Sequence, residues 1–144
     1  MANDPLALDR QVCFALAVAS REVIALYKPV LQPMGLTHPQ YLVMLALWER
    51  SPRKVSDIAD ALLLESATLS PLLKRLETAG LVTRARNSVD ERALDVELTA
   101  AGRELRDRAE QVPGQIVSRL GMPVSELEQI RDGLTRLIEA SSGH

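Results

Sequence analysis

Residues 55–80 read VSDIADALLLESATLSPLLKRLETAG, and residues 81–99 continue LVTRARNSVDERALDVELT. In the first stretch Ser56 is placed to cap a short helix over Asp57–Leu63. A turn at Leu64–Ser66 then leads into a helix whose apolar face is Leu69, Leu72, Leu73 and Leu76. Gly80 suits the left-handed residue that closes such a helix. Its start has two candidates, Ser66, or Ser70 with Pro71 as the first helical residue. Two short helices across a tight turn predict a helix-turn-helix. After Gly80 the period becomes two. Val82, Arg84 and Arg86 alternate, a polar turn spans Asn87–Arg92, and Leu94, Val96 and Leu98 alternate on the return. That is a β-hairpin with a charged tip. A hairpin directly after a helix-turn-helix is the winged form of the motif, so the predicted fold is mostly helical with a small β-hairpin wing.

Helices flank this lobe on both sides. From Leu8 to Val30 the positions Leu8, Val12, Leu16, Ala19, Val23, Leu26 and Val30 form a stripe close to the heptad spacing of a helix–helix seam. Pro29 and Pro33 are expected to stop that helix. A second begins at Thr37 or His38, with Pro39 in its first turn, and runs through LVMLALW to Glu49 before SPRK breaks the pattern. Thr99 can cap a helix through Arg119, bent or interrupted at Pro113-Gly114, and Val124–Ala140 makes the last. With no repeat or linker, residues 1–144 read as one domain containing a winged lobe at 53–98.

Composition sets the class. Apolar residues are 47%, charged 25% and aromatic 3%, with a net charge of −2. That is ordinary for a globular chain, favours helix over sheet, and gives no global basic field. One cysteine among 144 residues permits no internal disulfide and fits a reducing cytosol. MANDPLALDRQ lacks the basic leader and long apolar core of a signal peptide, and no stretch is long enough to span a membrane. A cytoplasmic protein is therefore expected. Cys/His metal clusters, phosphate-cradling glycine loops and serine-hydrolase elbows are absent, so neither cofactor nor metal is called for.

The winged lobe carries a nucleic-acid pattern. A recognition helix needs short polar side chains near its start to reach base edges, and cations for phosphate. Ser66, Thr68 and Ser70 supply the first, Lys74 and Arg75 the second. The hairpin adds Arg84, Arg86 and Arg92, and an arginine at a tip can enter a narrow minor groove. Asp90, two residues before Arg92, is placed to hold that guanidinium. Residues 53–92 carry seven Lys/Arg against six Asp/Glu, the right sign and too small a surplus to decide. Double-stranded DNA is the expected partner; a protein-docking winged helix is the alternative that pattern alone leaves open.

The stretches GLTHPQYLVMLALWE, LESATLSPLLKRLETAGLVTR and SVDERALDVELTAAG strongly resemble the MarR family of winged-helix transcriptional regulators. With LDRQVCFALAVASREV near the start they resemble its organic-hydroperoxide-sensing OhrR subgroup, in the one-cysteine form. The resemblance runs from about Leu8 to Ile138. It implies a homodimeric repressor on a near-palindromic operator, with recognition helices (Glu65–Glu77 here) in major grooves and wings (Arg84–Arg92) in flanking minor grooves. It implies that residues 6–36 and 100–141 build the dimer interface. It also implies that Cys13 reacts with peroxide, that an organic hydroperoxide is the effector, and that Tyr27 occupies one of the family's phenol positions. Two positions depart from the pattern: His38 and Ala17 stand where the subgroup usually has tyrosine.

Taken alone, a single cysteine among Leu, Val, Ala and Phe reads as a packed core residue. A sensor needs a thiolate and access for the oxidant. Arg10, three residues away, could assist a thiolate if it points inward, and Asp9 would oppose one. His38 could replace a missing phenol as donor and, if protonated, would hold the thiolate more strongly. Tyr27 lies fourteen residues after Cys13, about 21 Å along a straight helix. It reaches a Cys13 only across a two-fold axis, with two first helices crossing antiparallel near Ser20. Without a second cysteine the sulfenic acid must meet a small cellular thiol, a backbone amide or further oxidant. Phe14, Leu16, Leu42 and Leu45 are expected to wall the thiol and favour organic peroxides. Two other readings stand beside the sensor: a repressor that binds a small aromatic ligand, with Cys13 structural, and a one-cysteine thiol peroxidase.

Overall fold

The computed structural model describes residues 4–142. A 3-10 turn at Leu8–Arg10 precedes α1 (Val12–Leu31), and a second at Gln32–Met34 precedes α2 (His38–Glu49). The winged lobe follows as β1 (Arg53–Lys54), α3 (Val55–Leu62), α4 (Ser66–Thr78), β2 (Val82–Arg86) and β3 (Leu94–Leu98). Three helices complete the described chain: α5 (Ala100–Ala109), α6 (Val112–Leu120) and α7 (Val124–Ser142).

Local chemistry explains most boundaries. Thr37 and Gln40 form a reciprocal capping box at the start of α2, the Thr37 hydroxyl accepting from the Gln40 amide and the Gln40 side chain accepting from that of Thr37. Thr99 accepts from the Gly102 amide at 3.1 Å and donates to the Gly80 carbonyl at 2.6 Å, so one hydroxyl starts α5 and pins the turn after α4. The strands form an antiparallel sheet in the order β1-β3-β2, with Val82 opposite Leu98 and Arg86 opposite Leu94. The core gathers Tyr41, Met44 and Leu47 of α2, Ile58 of α3, Leu69, Leu73 and Leu76 of α4, Val82 and Val96 of the wing, and Val112 and Ile116 of α6.

Several boundaries differ from the sequence expectation. The first helix begins at Val12, because Gln11 is extended and its side-chain Nε2 donates back to the Pro5 and Ala7 carbonyls. Pro29 does not stop it. In the last turn a proline removes one backbone bond, and burial of Val30 and Leu31 carries the helix past it. The helix ends before Pro33, and Gly35 turns the chain at φ 72°. Helix α3 starts at Val55 rather than Asp57 and has no side-chain cap from Ser56, since it runs straight out of β1. Ser66 is the first residue of α4, and Pro71 lies inside it. The expected bend at Pro113-Gly114 is a break at Glu110–Gln111, leaving Pro113 in the first turn of α6 where a missing N–H costs nothing.

The apolar faces at the two ends of the chain stay uncovered. Only Val30 and Leu31 of α1 are buried, and α7 buries no residue. Val12, Phe14 and Ile24 of α1 and Ile130, Leu134, Leu137 and Ile138 of α7 are exposed.

Candidate functional site

Two groups of residues carry chemistry, one on the winged lobe and one along α1 and α2. On α4 the burial of Leu69, Leu73 and Leu76 turns the opposite face to solvent, and Ser66, Thr68, Ser70, Lys74 and Arg75 are all exposed. They do not share one line. At about 100° per residue, Ser66 and Ser70 lie on one flank of the exposed face and Thr68 and Arg75 on the other. Ala67, Pro71 and Lys74 run down its middle; the sequence reading passes over Ala67 and takes Pro71 only as a helix-start candidate, because neither carries a polar group.

The wing sorts its arginines. Arg84 is tied to Glu77 of α4 at 3.0 Å and half-buried, so it joins the wing to α4 and its charge is largely answered. Arg86 is exposed at the end of β2. Arg92 stands 97% exposed at the tip; the Asp90 carboxylate accepts its main-chain N–H at 3.1 Å and approaches its Nε at 3.8 Å. The expected Asp90–Arg92 pairing is therefore present, with Asp90 serving chiefly to fold the tip. Asn87 does the rest, a role the sequence did not reveal: its side-chain oxygen accepts from the Val89 and Asp90 amides, while its Nδ2 donates to the Asp95 carboxylate.

Beneath the lobe, Arg53 donates to the Ala46 carbonyl at 2.9 Å and to Asp57, which Arg50 also engages. Hydrogen bonds from Arg53 and then Arg50 hold the Asp57 carboxyl below its usual range. Trp48 Nε1 donates to the Gly102 carbonyl at 2.9 Å, fixing α2 to α5.

Along α1 the thiol of Cys13 is exposed, not packed. The apolar letters around it are the uncovered part of the stripe, so a core reading fails within one protomer. The helix is unbroken from Val12 to Leu31, which keeps Cys13 and Tyr27 of one chain about 21 Å apart. Nor does the protomer wall the thiol, because Phe14 and Leu45 are exposed. Tyr27 and His38 do meet: their rings pack edge to face at 4.9 Å, and Tyr41 stands 5.8 Å from Tyr27. Burial raises the Tyr27 pKa; at Tyr41 burial and then the Tyr27 charge do the same. Burial lowers that of His38, which disfavours the protonated form and leaves the neutral donor of the two roles that the sequence offers. Beside this cluster lies an open groove of about 480 Å³ lined by Ile24, Ala25, Lys28, Leu36, His38 and Pro39. Among the described residues no group of His, Cys, Asp or Glu is placed to hold a metal ion, and no helix is long and apolar enough to cross a membrane.

Residues 25–109 match the transcriptional regulator SarA/Rot family. The chain is 40% identical over 136 residues to the organic hydroperoxide resistance transcriptional regulator of Bacillus subtilis, covering 94% of this chain and 92% of that one. Its structure is similar to that of reduced AbfR of Staphylococcus epidermidis bound to DNA, with a TM-score of 0.78 and 35% identity over 97% of this chain and 98% of the other. It is also similar to CouR of Rhodococcus jostii RHA1 bound to p-coumaroyl-CoA, with a TM-score of 0.77 and 26% identity over 92% of this chain and 94% of that one. The Bacillus subtilis relative is a transcriptional regulator, and each of these likenesses runs over more than nine-tenths of this chain, the winged lobe and its flanking helices together. The chain belongs to the SarA/Rot-type MarR family of winged-helix proteins, and it is a DNA-binding transcriptional regulator.

Proposed function

We propose that the protein is a homodimeric repressor that senses organic hydroperoxides through Cys13 and releases its operator on oxidation. One observation carries this reading: the exposed apolar stripe of α1 has an exposed thiol near one end and, near the other, Tyr27 packed against His38 of α2. A second copy crossing antiparallel near Ser20 covers the stripe and brings each Cys13 level with the partner's Tyr27. The exposed apolar side chains of α7 extend the same interface. The site is then complete only in the dimer, with α4 entering successive major grooves and Arg86 and Arg92 flanking them. Such a regulator works in the cytoplasm, where both its DNA and a reducing thiol pool are found.

The reaction is a two-electron oxidation of sulfur. The Cys13 thiolate attacks one peroxide oxygen, the O–O bond breaks, and the organic fragment leaves as an alkoxide that takes up a proton to become the alcohol. Cys13 is left as a sulfenic acid, which condenses with a small cellular thiol to a mixed disulfide, releasing water. Neutral His38 and the Tyr27 hydroxyl serve as hydrogen-bond donors to the thiolate, without help from an imidazolium charge. An adduct in a packed helix crossing forces the two winged lobes apart from their DNA spacing.

Intact mass after one equivalent of an aryl hydroperoxide, with and without a small thiol, tests the chemistry. One added oxygen, or a mixed disulfide, confined to Cys13 supports it; an unmodified Cys13 refutes it. Mixed dimers pairing Cys13→Ser with Tyr27→Phe test the shared site. One intact site should restore about half the response, and no gain over the double variant refutes the crossing. The groove of about 480 Å³ beside His38 favours a second reading, a repressor released by a small aromatic ligand. In that case Cys13→Ser leaves the effector response unchanged. Turnover of many peroxide equivalents per chain would instead mark a thiol peroxidase.

A further inference from the structure

Helix α4 turns its inward face to Leu69, Leu73 and Leu76, and this fixes what lies opposite. The middle of the outward face is Ala67, then Pro71 one turn on, then Lys74, all exposed. Thr78, the next residue on that line, spends its hydroxyl on the Lys74 carbonyl at 3.0 Å. The hydroxyls of Ser66, Ser70 and Thr68 stand to either side. A proline in the sixth position of a helix removes a backbone hydrogen bond, and here its ring faces solvent, so no packing within the protomer compensates. The part of the helix that penetrates deepest into a major groove is therefore an apolar pair, not a polar one.

We infer that Ala67 and Pro71 read thymine by contact with its 5-methyl group, making this pair a determinant of operator sequence. The thymine methyl is the one apolar feature on the major-groove edge of a base pair, and small apolar side chains are its complement. The flanking hydroxyls reach neighbouring base edges or phosphates, and Lys74 engages phosphate on any sequence. The inference rests on α4 lying in the major groove.

Its test uses the full-length protein and DNA alone. Preferred sites are selected from randomised duplexes at fixed salt, and each thymine of the selected sequence is then replaced by uracil, which removes only the methyl. At one or two thymines per half-site the replacement should weaken binding about fourfold, the value of one buried methyl-sized group. Pro71→Ser, which suits a helix better than proline, should bring the thymine-to-uracil ratio at one such position close to one. Lys74→Ala should weaken binding to all duplexes and leave that ratio unchanged. A selected sequence with no uracil penalty, or a penalty that Pro71→Ser leaves intact, overturns the inference alone. Failure to select any sequence overturns the groove placement and the inference together.

Discussion

Replacing Gly102 by alanine should loosen the join between α5 and the wing. A Cβ built at this position lies 2.2 Å from the Leu81 carbonyl oxygen and 3.2 Å from both the Leu81 carbonyl carbon and Leu98 Cδ2. The nearest obstacle is backbone that already accepts the Thr99 amide at 3.1 Å, so it cannot rotate aside. Helix α5 must move out, and the Trp48 bond to the Gly102 carbonyl stretches with it. Overpacking of this kind costs about 1–3 kcal/mol, a lost hydrogen bond adds about 1, and alanine's better helix propensity returns about 1. The net expectation is a loss of about 1–3 kcal/mol, with weaker operator binding because the base of the wing shifts. Trp48 is the only tryptophan, so urea unfolding followed by its fluorescence reports on this contact directly. Protein concentration must be held fixed, because the dimer proposed above would add to apparent stability. Gly114→Ala is the matched control: it is helical, has no atom within 4 Å of its Cβ, and should be neutral or slightly stabilising. If Gly102→Ala unfolds within about half a kcal/mol of wild type, the close approach is not a constraint and the reasoning fails.

Leu63 ends α3 at φ 56° with its side chain 70% exposed, so Leu63→Gly should raise stability by about 1 kcal/mol; a lower unfolding midpoint would contradict this. On a plot of log affinity against log salt, Arg86→Gln should reduce the slope by about one unit per protomer, while Arg84→Gln, already paired with Glu77, should change it less. Equal reductions would mean that Arg84 leaves Glu77 on binding. Burial lowers the His38 pKa, so between the usual value of about 6.5 and the folded value the unfolded chain binds a proton that the folded chain refuses. Stability should therefore fall as the pH drops through that window, and His38→Phe should flatten the fall; an unchanged profile would assign it to other groups.

The winged lobe was legible because its elements are set by short-range chemistry. The Leu69, Leu73 and Leu76 face, the alternation on either side of Asn87–Arg92, and the Thr37 and Thr99 caps each lie within a few residues of sequence. What escaped depends on distant partners. The two-residue strand Arg53–Lys54 is too short for any period and exists only by pairing with Val96 and Asp95 of β3. The Trp48–Gly102 bond spans 54 positions. Arg84 looked like a free cation because Glu77, seven residues earlier, belongs to a different element. The packed-core reading of Cys13 from pattern alone fails for another reason. A heptad stripe shows that a face will be covered and not by what, and here the protomer itself leaves it bare.

Helix α2 gives the fold a mechanical property. Its twelve residues make one uninterrupted rod about 18 Å long. At one end stand His38 and Tyr41, against Tyr27; at the other, Ala46 and Trp48 are bonded to Arg53 and Gly102. A rod held at both ends transmits angle as well as displacement. A tilt of about 5° pivoting at the ring cluster moves the far end by roughly 1.6 Å. That exceeds the tolerance of a 2.9 Å hydrogen bond, so the leverage of this helix turns a disturbance too small to unfold anything near Tyr27 into a choice between intact and broken contacts at the base of the wing.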